Sequence, residues 1–176
     1  MSLRITTLSL ALTSALSAPL ASAAEDFYAV RPASIDCVVQ AAEKQGVPAN
    51  VLLAISSQER GKNGQSMRNA NGTLDLGHFQ LNTTHWEKGG FLSNHPEISK
   101  SDIAWRGCYN AEMAAYFLKM KINEKTNQDF WTRVANYHSK TKEFNDKYKK
   151  ALMPYVIEWG QYLERTKHTP YTVSYR

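Results

Sequence analysis

Glu59 is the residue whose placement suggests chemistry. It lies in the stretch VLLAISSQERG, residues 51–61, where Leu52, Ile55 and Glu59 recur at three- and four-residue spacing. That spacing puts them on one face of a helix. A carboxyl group in line with core-facing residues either ends the apolar pattern in solvent or is held in a half-dry place. In the second case, lost hydration disfavours the charged form and raises the pKa. A carboxylic acid that stays protonated near neutral pH is what general-acid cleavage of a glycosidic bond requires. Taken alone, a glutamate in the last helical turn is more often solvated. The other reactive residue types give less. The five histidines are dispersed, and His78 and His85 have no cysteine or carboxylate at ligand spacing, so neither a metal nor a cofactor is expected. Cys37 and Cys108 have no neighbouring histidine and no CxxC spacing, which argues against a nucleophilic or metal role.

The elements that position Glu59 belong to a chain of 176 residues, enough for one domain with a real core. Residues 1–23 read as a signal peptide: Arg4 is a short basic region, ITTLSLALTSALSAPL an apolar run, and ASA at 21–23 a small-residue cleavage site. The run is too short and too rich in Ser and Thr for a membrane span, although an uncleaved anchor is the alternative. The expected organisation is a leader at 1–23, a catalytic domain at 24–165 and a C-terminal tail at 166–176. Two cysteines in an exported chain suggest a Cys37–Cys108 disulfide, with two buried thiols as the alternative. In the chain-entropy model that bridge contributes about 4 kcal/mol. The formal net charge is +5, but the basic residues are scattered and KYKK at 147–150 reads as a solvated helix face. With no nucleic-acid motif and an export signal, a nucleic-acid partner is not expected.

Periodicity predicts a mostly helical domain. SIDCVVQAAEKQG has Ser34 as N-cap and Gly46 as stop signal. Pro48 is placed to open the helix that carries Glu59. GKNGQSMRNANGTLDLG, residues 61–77, is turn chemistry, with a small hairpin around Asn71-Gly72. AWRGCYNAEMAAYFLKMKINEK predicts one helix with Cys108, Ala111, Ala115, Leu118 and Ile122 as its stripe. DFWTRVANYHS predicts a shorter helix and a turn. A last helix over about 143–165 aligns Phe144, Tyr148, Leu152, Tyr155, Trp159 and Leu163 as core or groove wall, with Pro154 expected to kink it.

The order Glu59, a Gly/Asn loop, DLGHFQLN, and then VANYHS resembles the lytic transglycosylase domain of the soluble-lytic-transglycosylase type. It looks closest to the small periplasmic enzymes that accompany type IV and type III secretion and conjugation systems. Glu59 matches the family's catalytic glutamate. NGTLDLGHFQLN, residues 71–82, matches its glycine–glutamine motif through Gly77, Gln80 and Asn82, CYN at 108–110 its cysteine–asparagine helix start, and VANYHS its tyrosine motif through Tyr137. Cys37 and Cys108 match the cysteine pair of these small enzymes. The resemblance spans about 35–150 and implies a mainly α, lysozyme-like fold of the goose-type lysozyme kind, with at most a small β-hairpin.

The activity implied is cleavage of the bond between N-acetylmuramic acid and N-acetylglucosamine in peptidoglycan, with closure of a 1,6-anhydro ring and Glu59 as the single acid and base. The resemblance assigns Gln80, Asn82, Tyr137, His138 and the backbone near Gly77 to substrate binding, and Tyr137 also to a hydrogen bond that helps place Glu59, with a core aromatic whose hydroxyl finds one partner as the alternative. It also implies a periplasmic location and, as partners, glycan strands and components of an envelope-spanning apparatus. Three departures stand out. Arg60 replaces the family's serine, and its cation could lower the Glu59 pKa, which keeps a non-catalytic glycan-binding scaffold as the rival reading. His78-Phe79 replaces Leu-Met, with His78 read as a surface residue ahead of a cleft residue. His138 replaces an asparagine. Asp75 reads as a turn residue. Facing Glu59 across a cleft, it would instead give an inverting, lysozyme-like hydrolase.

Overall fold

The computed structural model of the protein describes residues 29–168 and 170–174; the leader expected at 1–23 lies outside the described residues. Helix α1 (Ile35–Gln45) starts where the Ser34 hydroxyl accepts from the Cys37 amide and stops at Gly46, whose φ of 67° is left-handed. Helix α2 (Ala49–Glu59) follows Pro48. Every residue from Ala49 to Ile55 is buried, so the helix is enclosed on all sides rather than along one stripe. It is the central helix of the domain, and Glu59 emerges at its last turn.

Three short strands follow: β1 (Ser66–Arg68), β2 (Leu74–Leu76) and β3 (Leu81–Asn82). They form an antiparallel sheet in the order β1-β2-β3. The β1–β2 hairpin turns at Asn71-Gly72, closed by the Asn69 amide donating to the Thr73 carbonyl at 2.8 Å. The third strand exists because the chain reverses again within four residues. Gly77 (φ 66°) and Gln80 (φ 51°) both take left-handed conformations, which brings Asn82 opposite Asp75. Asp75 is thus the middle residue of β2, not a turn residue as its type suggested.

The helix expected from Ala104 onward is two: α3 (Lys100–Trp105) and α4 (Gly107–Ile122), broken at Arg106. The break lets the chain dock on the N-terminal segment. The Gly107 amide donates to the Arg31 carbonyl at 2.8 Å, and a Cβ on Gly107 would come within 2.1 Å of the Ala33 nitrogen. One residue on, Cys108 is bonded to Cys37. Helix α5 (Phe130–Ala135) is capped by Asp129, and α6 (Lys142–Arg165) runs on through Pro154 without ending there. Along α6, Tyr148, Leu152 and Leu163 are buried, whereas Phe144 is 53% exposed and is not core. Helices α1, α4 and α6 surround α2 in one continuous core. Part of the segment set apart as a tail returns to this core: the Asn50 amide donates to the Val173 carbonyl at 2.8 Å and accepts from its N–H. No described helix is long and apolar enough to cross a membrane.

Candidate active site

A cleft of about 550 Å³ opens over the end of α2, between the sheet and the α5–α6 turn. Glu59, Asp75, Gln80, Asn82, Tyr137 and His138 all line it. The Glu59 carboxyl is pushed up to about 7, first by burial, with the Asp75 charge adding to the rise and a hydrogen bond from Tyr148 opposing it. The Tyr148 hydroxyl donates to Glu59 Oε1 at 2.6 Å. That leaves Oε2 as the oxygen able to carry the acid proton. His138 stacks flat on the Tyr148 ring, with centroids 4.8 Å apart and planes 3° apart, and so screens this hydrogen bond from one side. Burial keeps the His138 imidazole below its ordinary pKa.

Tyr137 does something different from what the resemblance assigns. Its buried hydroxyl donates to the Phe79 carbonyl at 3.0 Å, and the hydroxyl on Glu59 belongs to Tyr148. The Phe79 amide in turn donates to Asn110 Oδ1 at 2.7 Å, while Asn110 Nδ2 donates to the Leu76 carbonyl at 3.1 Å. Two buried side chains, Tyr137 and Asn110, thus satisfy the backbone of the β2–β3 turn, whose polar groups would otherwise be orphaned in the core. The turn holds Gln80 over the cleft, with its Nε2 donating to the Gly77 carbonyl at 2.7 Å. Gly77 does not line the cleft. A Cβ there would lie 2.6 Å from the Ile103 carbonyl, so glycine is needed for packing against α3 and α4.

Asp75 and Asn82 form one unit. Asp75 accepts from Asn69 Nδ2 at 2.9 Å and from Asn82 Nδ2 at 2.6 Å, and Asn82 Oδ1 caps the 3₁₀ turn Thr83–Trp86 by accepting from the Thr84 amide. The Asn82 side chain is therefore committed to structure. His78, read as a surface residue, is half-buried: its Nε2 meets Ser56 Oγ at 2.7 Å, and it faces α2 rather than the cleft. Arg60 caps α2 in a left-handed conformation (φ 54°), its amide donating to the Ser56 carbonyl. Its guanidinium donates to the Tyr155 hydroxyl at 3.2 Å, and it plays no part in the Glu59 shift. The described residues contain no group of three or more His, Cys, Asp or Glu able to hold a metal.

Sequence reasoning gave no site role to Tyr148, or to Asn110 at the end of the CYN motif. The signal for Tyr148 was present, since it is the polar-tipped member of an otherwise apolar stripe. Asn110 was visible as an amide in the buried face of an Ala-rich helix.

A family model described as Transglycosylase SLT domain matches residues 36–153, about two thirds of the chain. No curated protein matches the chain.

Proposed function

Since the chain belongs to the Transglycosylase SLT domain family, with its lysozyme-like fold, we propose that it is a peptidoglycan lytic transglycosylase in which Glu59 serves alone as acid and then base. The observation that carries this reading is the Glu59 carboxyl, raised to about 7 at the cleft floor with one oxygen held by Tyr148. In the first step Glu59 gives its proton to the oxygen linking C1 of N-acetylmuramic acid to C4 of N-acetylglucosamine, and the C1–O bond breaks. The resulting carboxylate is stabilised by the Tyr148 hydroxyl. It then takes the proton of the muramoyl C6 hydroxyl as that oxygen bonds to C1, which closes the 1,6-anhydro ring and regenerates the acid. Gln80, on its clamped turn, and His138 present polar groups to the sugars.

A second reading has one observation in its favour. Asp75 shares the cleft with Glu59 and could activate a water, which would make the protein an inverting hydrolase. Against it, the carboxylate already accepts from two amides, Asn69 and Asn82. The scaffold reading loses its main support, because the Arg60 cation points toward Tyr155.

We place the protein in the periplasm, delivered by the 1–23 leader, where it opens local gaps in the wall for an envelope-spanning secretion or conjugation apparatus. The leader-like N-terminus and the Cys37–Cys108 bridge support that setting. The test of the activity is clearing of purified sacculi. Wild type solubilises them, and Glu59→Gln, which keeps an acceptor for Tyr148, still binds them without solubilising them. Clearing by Glu59→Gln at the wild-type rate overturns the assignment.

A further inference from the structure

Part of the cleft lining is aromatic and basic, formed by His85, Phe117 and Lys121. His85 and Phe117 pack against each other with ring centroids 4.4 Å apart, and Phe91 stacks on Phe117 at 5.3 Å. The Lys121 ammonium lies 4.6 Å from the Phe117 ring centroid, on the cleft side of this aromatic cluster. Lys121 is half-buried and has no carboxylate partner among the described residues. Glu124, the acid whose charge reaches it, is bound by Lys140, which also lines the cleft. His85 supplies no compensating charge. Burial first, and the Lys121 cation second, push it down to about 4, so it stays neutral beside the lysine.

Glu124 holds Lys140 through Oε1 and makes no ion pair with Lys121, so the half-buried ammonium offers its donors to the cleft. Lys⁺ has three donors, and the aromatic face below it satisfies none of them with an acceptor oxygen. Such a group is stabilised when a ligand brings an anion. Lys121 lines the same cleft as the Glu59 carboxyl and sits there over the Phe117 ring.

We propose that Lys121 is a specificity-determining residue that binds a carboxylate of the substrate, so that the cleft selects glycan strands bearing acidic peptide stems over neutral glycans. The inference rests on the peptidoglycan reading above and adds which strands are preferred. In intact wall the lactyl carboxyl is joined to the peptide in an amide, so the free carboxylates are those of the stem. Once the peptide is removed, the lactyl group itself supplies one. The chemistry is the same, and the two sources are separable.

The test measures affinity rather than turnover, so it does not depend on which bond the enzyme breaks. Glu59→Gln, with and without Lys121→Met, is titrated with three tetrasaccharides: one with peptide stems, one freed of them by an amidase, and the neutral N-acetylglucosamine tetramer. Methionine keeps the apolar stem over Phe117, and Lys121→Arg restores the charge. Lys121→Met is expected to weaken stem-bearing glycan about fivefold, the scale of one partly exposed charge pair. It is expected to leave the neutral tetramer unchanged, and arginine is expected to restore the loss. The preference shrinks as salt rises, because the contact is screened. Loss confined to stem-bearing glycan assigns the stem carboxylate, and loss shared with the amidase-treated strand assigns the lactyl group. Equal loss toward all three ligands, or no loss at all, overturns the proposal. No binding of any glycan by the parent Glu59→Gln variant overturns the peptidoglycan reading itself.

Discussion

Replacing Tyr148 by phenylalanine removes one oxygen from the site and leaves the ring under His138 in place. In the folded protein that oxygen donates to Glu59 Oε1 at 2.6 Å and is the interaction that pulls the Glu59 pKa down against burial and the Asp75 charge. A hydrogen bond to a charged group contributes about 1.5–3 kcal/mol. About 1.4 kcal/mol corresponds to one pH unit. Without the donor the carboxylate is less favoured, so Glu59 rises from about 7 by roughly one to two pH units. The alkaline limb of kcat/KM, which reports the acid in the free enzyme, moves up with it. The plateau rate falls about tenfold, because the carboxylate formed in the first step has lost its stabilising donor. The assay is a pH profile of muropeptide release from sacculi, beside a carbon NMR titration of the Glu59 carboxyl in both proteins. A limb that stays at the wild-type pH, or moves to lower pH, refutes the argument that Tyr148 sets the acidity of Glu59.

Other perturbations act in different directions. Asp75→Asn removes a negative charge that disfavours ionisation of Glu59, so the same limb moves to lower pH; an upward shift in the profile would contradict the geometry. Glu59→Gln changes stability as well as activity. The folded chain holds the Glu59 proton to about 7 against 4.5 for an ordinary glutamate, so between those values it binds more protons than the unfolded chain and loses stability as pH rises. The glutamine variant escapes that loss and is the more stable protein above pH 7, by up to about 3 kcal/mol, with the gap closing below pH 4.5; urea unfolding at the two extremes measures it, and a pH-independent gap refutes it. Tyr137→Phe orphans the buried Phe79 carbonyl and costs about 1–3 kcal/mol in denaturant unfolding, while the Glu59 limb stays in place. Reducing Cys37–Cys108, which spans 71 residues, lowers stability by about 4 kcal/mol on the chain-entropy account, read from urea midpoints with and without reductant.

The sequence carried the chemistry further than it carried the geometry. Glu59 stood out because a carboxylate continued the spacing of Leu52 and Ile55, and the structure shows why that spacing is half true: α2 is enclosed on every side until Ile55, and its last turn alone meets the cleft. The hairpin at Asn71-Gly72 was legible because its turn chemistry is local. The third strand depends on Gln80, a non-glycine residue at positive φ, a conformation its type does not advertise. The break at Arg106 was invisible because the Ala-rich periodicity runs through it; what ends the helix is the docking of the N-terminal segment on Gly107. Tyr137 and Tyr148 show the same limit within the site. Each is a buried tyrosine with one hydroxyl to satisfy, and only the three-dimensional paths of α6 and of the turn before it decide that Glu59 is met by Tyr148 and the Phe79 carbonyl by Tyr137.

The central claim is that the C6 hydroxyl, and not water, receives the muramoyl group at a site run by Glu59 alone. Digesting purified sacculi in ¹⁸O-labelled water and weighing the released muropeptides tests it directly. The account predicts anhydro-muropeptides without label from the wild type and none from Glu59→Gln. Reducing-end muropeptides carrying one ¹⁸O at C1 would contradict it and make Asp75 the base of a hydrolase.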